Sequence, residues 1–464
     1  MNLGFIESKT FDEIEIGDTA RTDHVLTTED AMAFASISGF TSVLSPEEVL
    51  ERTGGVPPNG PNMWCASLVS GLFSMHIPGP GVTLKNISLS FDNRIHVGDR
   101  ILVQVQATAK DDATKIVTFD CEAHNGSGLS IFTGTAQVIA PLTKLRWSTL
   151  PVPQLIVNNP YRHYHGMIAR ATAKPAVRTA IVWPCDEVSL GGALQAWKDK
   201  LIVPVLVGSG EKIRPLAKSM ELDLEGIRVV DIPDSRAAAA RGVELARKGE
   251  VEMLMKGSLH TDELMSAVVS RDGGMRTGRR ISHVFVLDVP MYHKPLFVTD
   301  AAINIQPDLE TKISILQNAI DMMLTLEIQN PKVAILSAVE SVNPAIPSTL
   351  DAAALCKMVD RGQITGAIVD GPLAFDNAIS SEAARIKKIK SRVSGDVDLL
   401  MAPNLEAGNI LFKELQYLAG ALAAGAVVGA KVPIVLTSRA DGELARMASC
   451  ALGVLLAKPA PVRE

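Results

Sequence analysis

Hydrophobic and polar residues alternate along several stretches in the first third of the chain. RILVQVQATAK (100–110) and KIVTFDCEAH (115–124) carry apolar residues at about every second position, the period of a strand with one covered face. Strand-like runs also lie around 82–91 and 129–139, and the apolar block PNMWCASLVSGLF (61–73) has the length of a helix. This pattern predicts an α+β domain in which an antiparallel sheet wraps one helix.

A different pattern begins after a stretch with four prolines and little periodicity, which indicates a linker. We therefore expect a first domain over 1–140, a linker over 141–160 and a second domain over 161–464. In the second domain short β-branched runs alternate with amphipathic helices: RTAIVW, LIVPVLVG, IRVVDIP, VEMLMKG, HVFVLDV, PLFVTD, KVAILSA, ITGAIVDG, VDLLMAP and VPIVLTS. Such repetition predicts an α/β domain with a mostly parallel sheet covered by helices on both faces.

The composition and net charge of the chain argue against several classes of function. A net charge of −6 and a pI near 5.9 provide no basic field for nucleic acid or an anionic membrane. The five cysteines are scattered without a CxxC pair, and the N-terminus is acidic, so we expect no metal site, no disulfide framework and no export signal. The Ala- and Gly-rich segment 417–436 contains Lys431 and Pro433, and we expect a buried helix running into a buried strand rather than a membrane span. These features predict a cytoplasmic protein.

Five polar loops follow predicted strands of the second domain, where backbone N–H groups and a helix dipole can meet an anion. They are MKGSLHTDE (255–263), VTDAAIN (298–304), VDGPLAFDNAIS (369–380), PNLEAGN (403–409) and LTSRADGELA (436–445). Each residue also has an ordinary interpretation: Ser438 and Thr261 could be helix N-caps, and Arg439 and Lys256 could be solvated. No loop has the GxxxxGK[ST] or GxGxxG spacing, so the residues alone predict an anion-binding α/β enzyme and not a nucleotide-binding one.

Together these loops resemble the phosphate acetyltransferase and phosphate butyryltransferase family over roughly 160–457. The resemblance implies reversible acyl transfer between coenzyme A (CoA) and inorganic phosphate, in two α/β subdomains with the site in the cleft. It implies acyl-CoA and phosphate as substrates, no permanently bound cofactor, and a homodimer or larger homo-oligomer.

The resemblance also implies roles for individual residues. Arg439 would bind phosphate and Ser438 would hydrogen-bond the reacting centre, while Lys256, Ser258 and Thr261 would form the phosphate-binding wall. A second set of candidate substrate-binding residues consists of Asn304, Asn377 and Asn409.

One position departs from the family. Acetyl-type relatives often carry a carboxylate base on the helix after the Ser-Arg pair, and the matching residue here is Ala445. Asp441 is our candidate for activating the thiol or orienting the arginine, although an acid there could instead stabilise a helix dipole.

The first domain resembles MaoC-like hydratases of the hot dog fold through FDEIEIGD, LTTEDAMAFASISG, PNGPNMWCASLVSGLF and IPGPG. The family motif Gly-Asp-x-Asn-Pro-x-His aligns with GFTSVLS (39–45), so Phe40 and Ser45 stand where the family has Asp and His. Neither side chain can deprotonate water at neutral pH, and the loss of such a group costs about 10²- to 10⁴-fold in rate. We therefore expect little or no hydratase activity.

Three hypotheses remain open at this point. The first is a phosphate acyltransferase with a degenerate hot dog domain. The second is a bifunctional enzyme that retains enoyl-CoA hydratase activity. The third is a non-catalytic protein that binds acyl-CoA or organises an assembly.

Overall fold

The structure, a computed structural model, describes residues 5–38, 59–60, 62–148, 162–271, 274–436 and 442–458. The chain divides into two compact units, Met1–Asn158 and Asn159–Glu464. The GFTSVLS motif at 39–45 and the three candidates Ser438, Arg439 and Asp441 lie outside the described residues.

The described part of the first unit contains nine strands and two helices. The strands are β1 (Phe5–Glu7), β2 (Thr19–Val25), β3 (Asn59–Gly60), β4 (Thr83–Phe91), β5 (Ile95–His96), β6 (Arg100–Asp111), β7 (Ile116–Asn125), β8 (Ser130–Ile139) and β9 (Arg146–Ser148). The helices are α1 (Thr28–Ser38) and α2 (Asn62–Met75).

Five of these strands form an antiparallel sheet in the order β2-β6-β7-β8-β4. Helix α2 packs on β6 and β2, and its buried side chains Val69 and Phe73 share one core cluster with Phe119 of β7. Alternate residues of β6, from Ile101 to Ala107, are buried beneath the helix, as the period of two predicts. A helix wrapped by an antiparallel sheet is the hot dog arrangement, so the predicted fold of this unit is confirmed.

Part of the predicted linker is strand. Residues 146–148 form β9, which pairs antiparallel with β1 at the start of the chain. The backbone of Ser8 also donates a hydrogen bond to the carbonyl of Leu145 (2.9 Å). The first unit therefore uses residues beyond 140, and the exact domain limits stay a prediction.

The described part of the second unit contains eleven strands and eleven helices. The strands are β10 (Val177–Val182), β11 (Ile202–Gly208), β12 (Arg228–Asp231), β13 (Met253–Lys256), β14 (Ser282–Asp288), β15 (Leu296–Thr299), β16 (Lys332–Leu336), β17 (Ile368–Leu373), β18 (Leu399–Met401), β19 (Leu422–Val428) and β20 (Ile434–Val435). The helices are α3 (Arg162–Thr172), α4 (Glu187–Lys198), α5 (Gly210–Ser219), α6 (Ser235–Arg247), α7 (Thr261–Val269), α8 (Leu309–Thr325), α9 (Pro347–Asp360), α10 (Phe375–Ile379), α11 (Ser381–Ile386), α12 (Leu405–Tyr417) and α13 (Glu443–Leu456).

All eleven strands form one sheet in the order β12-β11-β10-β13-β20-β19-β14-β15-β18-β16-β17. The five strands from β12 to β20 are parallel to one another, and so are the four from β15 to β17. Strands β19 and β14 lie between these groups and make the three antiparallel pairings. The sheet is thus mostly parallel, as predicted, and its two parallel groups correspond to two subdomains.

Helices cover both faces of this sheet. One large core cluster joins the sheet to buried residues of α4, α8 and α13, including Leu190, Ile315 and Ala451. Two further clusters lie under α6 and α7 and under α10 and α12. The prediction of an αβα sandwich is confirmed.

The prediction for the Ala- and Gly-rich segment is wrong in its first part. Helix α12 ends at Tyr417, and Leu422–Val428 is the strand β19 instead of a helix. The small side chains are required by the neighbours: a Cβ at Gly425 would lie 2.6 Å from Cε1 of His283 and 3.1 Å from Cδ1 of Phe285. Tertiary packing therefore overrides the helix propensity of alanine. Across the described ranges, no helix is both long and apolar enough to span a membrane.

Candidate active site

The order of strands in the first parallel group reverses between β10 and β13, and we call the position outside the carboxyl ends of these two strands the crevice. The chain passes from β10 to β11 and β12 on one side, and then returns to place β13 on the other side of β10. In open parallel sheets, ligands bind outside the carboxyl ends of the two strands at which the order reverses. Val182 and Lys256 are paired at the end of these strands and mark the position of the crevice.

Lys256 is the last residue of β13, and it is buried. Its Nζ donates hydrogen bonds to the carbonyl oxygens of Gly257 (3.1 Å) and Leu259 (3.2 Å). The interpretation of Lys256 as a solvated surface lysine is therefore wrong, because the ammonium curls over the loop that follows β13. A buried cation at this strand end favours binding of an anion.

Ser258 joins the ends of β13 and β10. Its Oγ donates to the carbonyl of Trp183 (2.9 Å) and accepts from the backbone N–H of Cys185 (3.3 Å). The preceding residue must be glycine, because a Cβ at Gly257 would lie 2.4 Å from the Trp183 carbonyl oxygen. The ends of β10 and β13 are thus held together by close contact between their backbones and by the hydrogen bonds of the Ser258 hydroxyl group.

Thr261 is exposed and is the first residue of α7, whereas His260 occupies the N-cap position. The N-cap interpretation of Thr261 is therefore wrong by one residue. The backbone N–H of His260 donates to Glu263 Oε2 (3.3 Å), which fixes the start of the helix. Lys256, Ser258 and Thr261 accordingly lie within one strand-to-helix turn.

The segment that contains Ser438, Arg439 and Asp441 is bracketed by described residues. Strand β20 lies parallel beside β13, with Val435 paired to Met255, so Leu436 leaves the sheet at the same edge as Lys256. Helix α13 begins at Glu443 with Gly442 as its N-cap, and Ala445 on its first turn is buried. Residues 437–441 therefore connect the end of β20 to the start of α13.

Asn304 and Asn409 both contact the loop that follows β15. The Nδ2 of Asn304 donates to Asp300 Oδ2 (2.6 Å) and to the carbonyl of Ile281 (2.9 Å). The Nδ2 of Asn409 donates to the carbonyl of Ala301 (3.1 Å). The structure therefore brings these two asparagines to one loop.

Asp300 organises that loop and was not selected from the sequence. Its carboxylate accepts backbone N–H groups from Ala302 (3.0 Å), Ile303 (3.1 Å) and Asn304 (3.1 Å). Burial raises the pKa of Asp300, and these hydrogen bonds oppose the rise. An aspartate directly after a buried strand in VTDAAIN was the available signal.

Asn377 lies elsewhere, at the end of β17. It is fully buried, and its Nδ2 contacts Glu340 Oε2 (3.3 Å). Lys387 forms ion pairs with Asp376 (3.0 Å) and Glu340 (3.9 Å) nearby, and the Asp376 pairing holds the pKa of that carboxyl below its usual range. These contacts are those of a local polar network.

The register gives the separation between the two groups of candidates. Leu254, Ile434, Val427 and His283 are paired in one row across the sheet. Strand β15 is the next strand after β14, so it lies four strand spacings from β13, or roughly 19 Å. Three antiparallel pairings separate β13 from β15, so β15 runs in the opposite direction and its loop leaves the sheet at the edge opposite to Lys256. A single phosphate therefore cannot contact both Lys256 and the β15 loop.

Hydrophobic packing nevertheless connects the loops. Leu259 belongs to a buried cluster against which both Ile303 and Leu436 pack. The loops after β13, β15 and β20 therefore each place one side chain in or against the same buried cluster, although the asparagines do not reach the Lys256 turn.

Within the ranges that the structure covers, no group of three His, Cys, Asp or Glu residues is arranged to hold a metal ion.

Comparisons with known proteins agree on the second unit. Residues 235–453 match the family model described as phosphate acetyl/butaryl transferase. A phosphate acetyltransferase of Rhizobium meliloti is 58% identical over 294 residues, covering 63% of this chain and 93% of the relative. A phosphate butyryltransferase of Clostridium acetobutylicum is 39% identical over 296 residues, covering 64% of this chain and 98% of the relative.

A solved structure gives the same result. The branched-chain phosphotransacylase from Enterococcus faecalis V583 is 30% identical, with a TM-score of 0.54, covering 61% of this chain and 100% of that chain. The fold, the strand-end loops and these relatives all identify the second unit, so this chain belongs to the phosphate acetyl/butyryltransferase family of acyltransferases.

Proposed function

We propose that the chain transfers a short acyl group between CoA and inorganic phosphate at the crevice between β10 and β13. The observation that carries this proposal is the buried Lys256, which ends β13 beside the strand that leads to Ser438 and Arg439. The reactants would be acyl-CoA and phosphate, as the family implies.

The reaction needs an electrostatic environment that these residues can supply. When the CoA thiolate attacks the carbonyl carbon of an acyl phosphate, negative charge gathers on the carbonyl oxygen and the phosphate departs as an anion. Lys256 and Arg439 would stabilise the phosphate, and Ser438 would donate a hydrogen bond at the reacting centre. Ser258 and Thr261 would complete the wall of the phosphate site.

Asp441 would activate the thiol or orient Arg439, because Ala445 cannot accept a proton. Asn304 and Asn409 stay substrate-binding candidates through the family resemblance alone, since their loop leaves the sheet at the edge opposite to Lys256. Asn377 is fully buried and its Nδ2 contacts Glu340, so we assign it a supporting role in the fold of its loop.

The first unit would serve as a scaffold, a dimerisation surface or an acyl-CoA-binding module. Its edge strand β4 exposes Leu84, Ile87 and Phe91, and exposed apolar side chains on an edge strand favour pairing with another chain. We infer a homodimer or larger homo-oligomer on this basis.

A thiol-release assay tests the proposed activity. The full chain should release CoA from acetyl-CoA or butyryl-CoA only when phosphate is present. Arg439→Ala should lower kcat/KM by about 10²- to 10³-fold, the typical cost of removing a group that stabilises developing charge. Arg170→Met, which removes a half-exposed arginine paired with Glu327, is the control and should leave the rate unchanged. If Arg439→Ala retains activity within a few-fold of the wild type, the site assignment is wrong.

A further inference from the structure

Arg446 lies in the first turns of α13, seven residues after Arg439. Its Nε and Nη1 are buried, and neither has a hydrogen-bond partner among the residues that the structure describes. No ion pair with Arg446 occurs among those residues either. The guanidinium therefore offers two donors that the described protein groups do not use.

A guanidinium cannot avoid this situation by losing its proton, because arginine remains charged at all physiological pH values. A buried cation is unfavourable unless an anion or several acceptors compensate it. Nε and Nη1 lie on different edges of the guanidinium, and each shares its edge with Nη2, so each edge presents a planar pair of N–H donors that matches two oxygens of a phosphate or carboxylate. The chemistry of the unused donors thus points to an oxyanion.

The side chain of Arg446 packs against helix α4. Gly192 lies inside α4, and a Cβ built there would be 3.7 Å from both Cδ and Nε of Arg446. The arginine therefore lies against a helix surface that carries no side chain at that point. Two adjacent glycines in a helix interior normally weaken the helix. Gly191 and Gly192 are therefore unfavourable for α4 itself, and the missing side chain at Gly192 leaves room for Arg446.

The two helices that meet at Arg446 both follow strands that end at the crevice edge. Helix α4 follows β10, which is one of the two strands that form the crevice. Helix α13 follows β20, which lies beside β13. Arg446 thus lies on one of these helices and contacts the other, and both helices follow strands that end at the crevice edge.

We propose that Arg446 binds a phosphate oxyanion of a substrate. This inference rests on the proposed function and adds a residue that no family motif in the sequence indicated. The oxyanion has two possible sources: inorganic phosphate, which is equivalent to the phosphate of the acyl phosphate, or the phosphate groups of CoA.

The test uses the full chain with Arg446→Met and Arg446→Lys. Methionine keeps an unbranched side chain of similar length and removes the charge, while lysine keeps the charge and removes the fork. KM is measured for phosphate and for acetyl-CoA, and binding of inorganic phosphate and of CoA is measured by calorimetry. Arg385→Met is the matched control, because Arg385 is exposed and pairs with Glu382 (2.6 Å).

We expect Arg446→Met to raise KM and the dissociation constant of one substrate at least ten-fold, with partial recovery in Arg446→Lys. A change confined to phosphate identifies inorganic phosphate as the source. A change confined to CoA, and smaller with dephospho-CoA than with CoA, identifies the 3′-phosphate. A change for CoA that is equal with dephospho-CoA identifies its diphosphate.

Unchanged KM and dissociation constants for both substrates in folded Arg446→Met would overturn the inference. If Arg446→Met does not fold, Arg446→Lys decides by the same criterion. Failure of the proposed function is distinguishable, because the wild type itself would then show no phosphate-dependent thiol release. Calorimetric binding needs no turnover and still reports on Arg446 in that case.

Discussion

His283 is a buried titratable residue at the junction of the two parallel groups of strands. It is 1% exposed, and its Nδ1 has no hydrogen-bond partner among the described residues. Its ring contacts Phe285, with the ring centroids 4.2 Å apart, and burial lowers the pKa of His283 to about 3. The imidazole is therefore neutral in the folded protein at any pH near neutrality.

This burial predicts a specific loss of stability in acid. Between the folded pKa of about 3 and the unfolded value of about 6.5, the unfolded chain binds a proton that the folded chain does not. The free energy of unfolding should thus decrease as the pH falls below about 6.5, by at most about 1.4 kcal/mol per pH unit. Denaturant unfolding of the wild type and of His283→Leu at pH 7.0, 6.0 and 5.0 measures this difference.

His283→Leu removes the titrating group, so its unfolding free energy should depend less on pH over that range. Asp300 has the opposite effect, because its raised pKa makes the folded state lose stability as pH increases. The comparison therefore uses the difference between wild type and variant, in which the Asp300 contribution cancels. Parallel pH profiles for both proteins would contradict the assignment of a buried neutral His283.

The sequence located some site residues but not their environments. Lys256 was selected through the family resemblance, in a polar loop that follows a predicted strand, and the structure adds that it is buried. Arg446 was not selected, since an arginine in ARMASCALGVLL has the pattern of an ordinary helix residue. Its significance depends on Gly192, 254 positions earlier in the chain, and such a contact is not visible in local sequence.

Strand β19 is the element that connects the two parallel groups of the sheet. It pairs antiparallel with β14 along its full length and with β20 at Val427. Its Gly425 lies beside the buried rings of His283 and Phe285, and its backbone N–H donates to Ser449 Oγ of α13 (3.1 Å). The strand is therefore packed between an aromatic pair and a helix.

Gly425→Ala should destabilise the protein. The added Cβ would lie 2.6 Å from Cε1 of His283, which is too close for two carbon atoms, and both rings are held in a packed core. Overpacking of this kind costs about 1–3 kcal/mol. The midpoint of denaturant unfolding, monitored by circular dichroism, measures the effect.

Gly166→Ala is the matched control in the same unit. Gly166 lies inside α3, and nothing lies within 4 Å of the position of its missing Cβ. This substitution should stabilise the helix by about 0.5–1 kcal/mol, since alanine has the higher helix propensity. An unfolding midpoint for Gly425→Ala at or above that of the wild type would show that the β14–β19 contact is not tightly packed.

Elements rich in β-branched residues could be predicted, and those that depend on tertiary contacts could not. Each of the ten β-branched runs predicted in the second unit contains a strand, because such side chains suit a sheet buried on both faces. Strand β19 was missed because its Ala and Gly residues resemble a helix and are explained only by the rings of β14. Strand β2, TARTDHV, was also missed, since it is an edge strand with mostly exposed side chains.

The two units of the chain differ in what their sequences retain. The second unit keeps cationic and hydroxyl residues at the ends of its parallel strands, and its relatives are acyltransferases. The first unit keeps the core of a hot dog fold, with Phe73 and Phe119 in edge contact at 5.2 Å. Core packing alone maintains a fold, but hydration of a double bond also requires an acid and a base.

The full chain should consequently act on acyl-CoA but not hydrate a 2-enoyl-CoA. Phe40 and Ser45 stand where MaoC-like hydratases carry Asp and His, and each lost acid or base costs about 10²- to 10⁴-fold. Loss of absorbance by the conjugated thioester of crotonyl-CoA, measured with the full chain, should not exceed the uncatalysed rate. The same preparation should show phosphate-dependent thiol release, which confirms that the second unit is folded and active, and circular dichroism of the full chain checks that the first unit is folded as well.

Arg439→Ala separates the two activities in that assay. If crotonyl-CoA were hydrated at a rate comparable to acyl transfer, and equally by Arg439→Ala, the first unit would be an active hydratase with a different set of catalytic groups. The double substitution Phe40→Asp and Ser45→His provides the complementary test, because it restores the acid and base of the family motif. Hydration by this variant and not by the wild type would show that the first unit lost its activity through these two positions while keeping its scaffold.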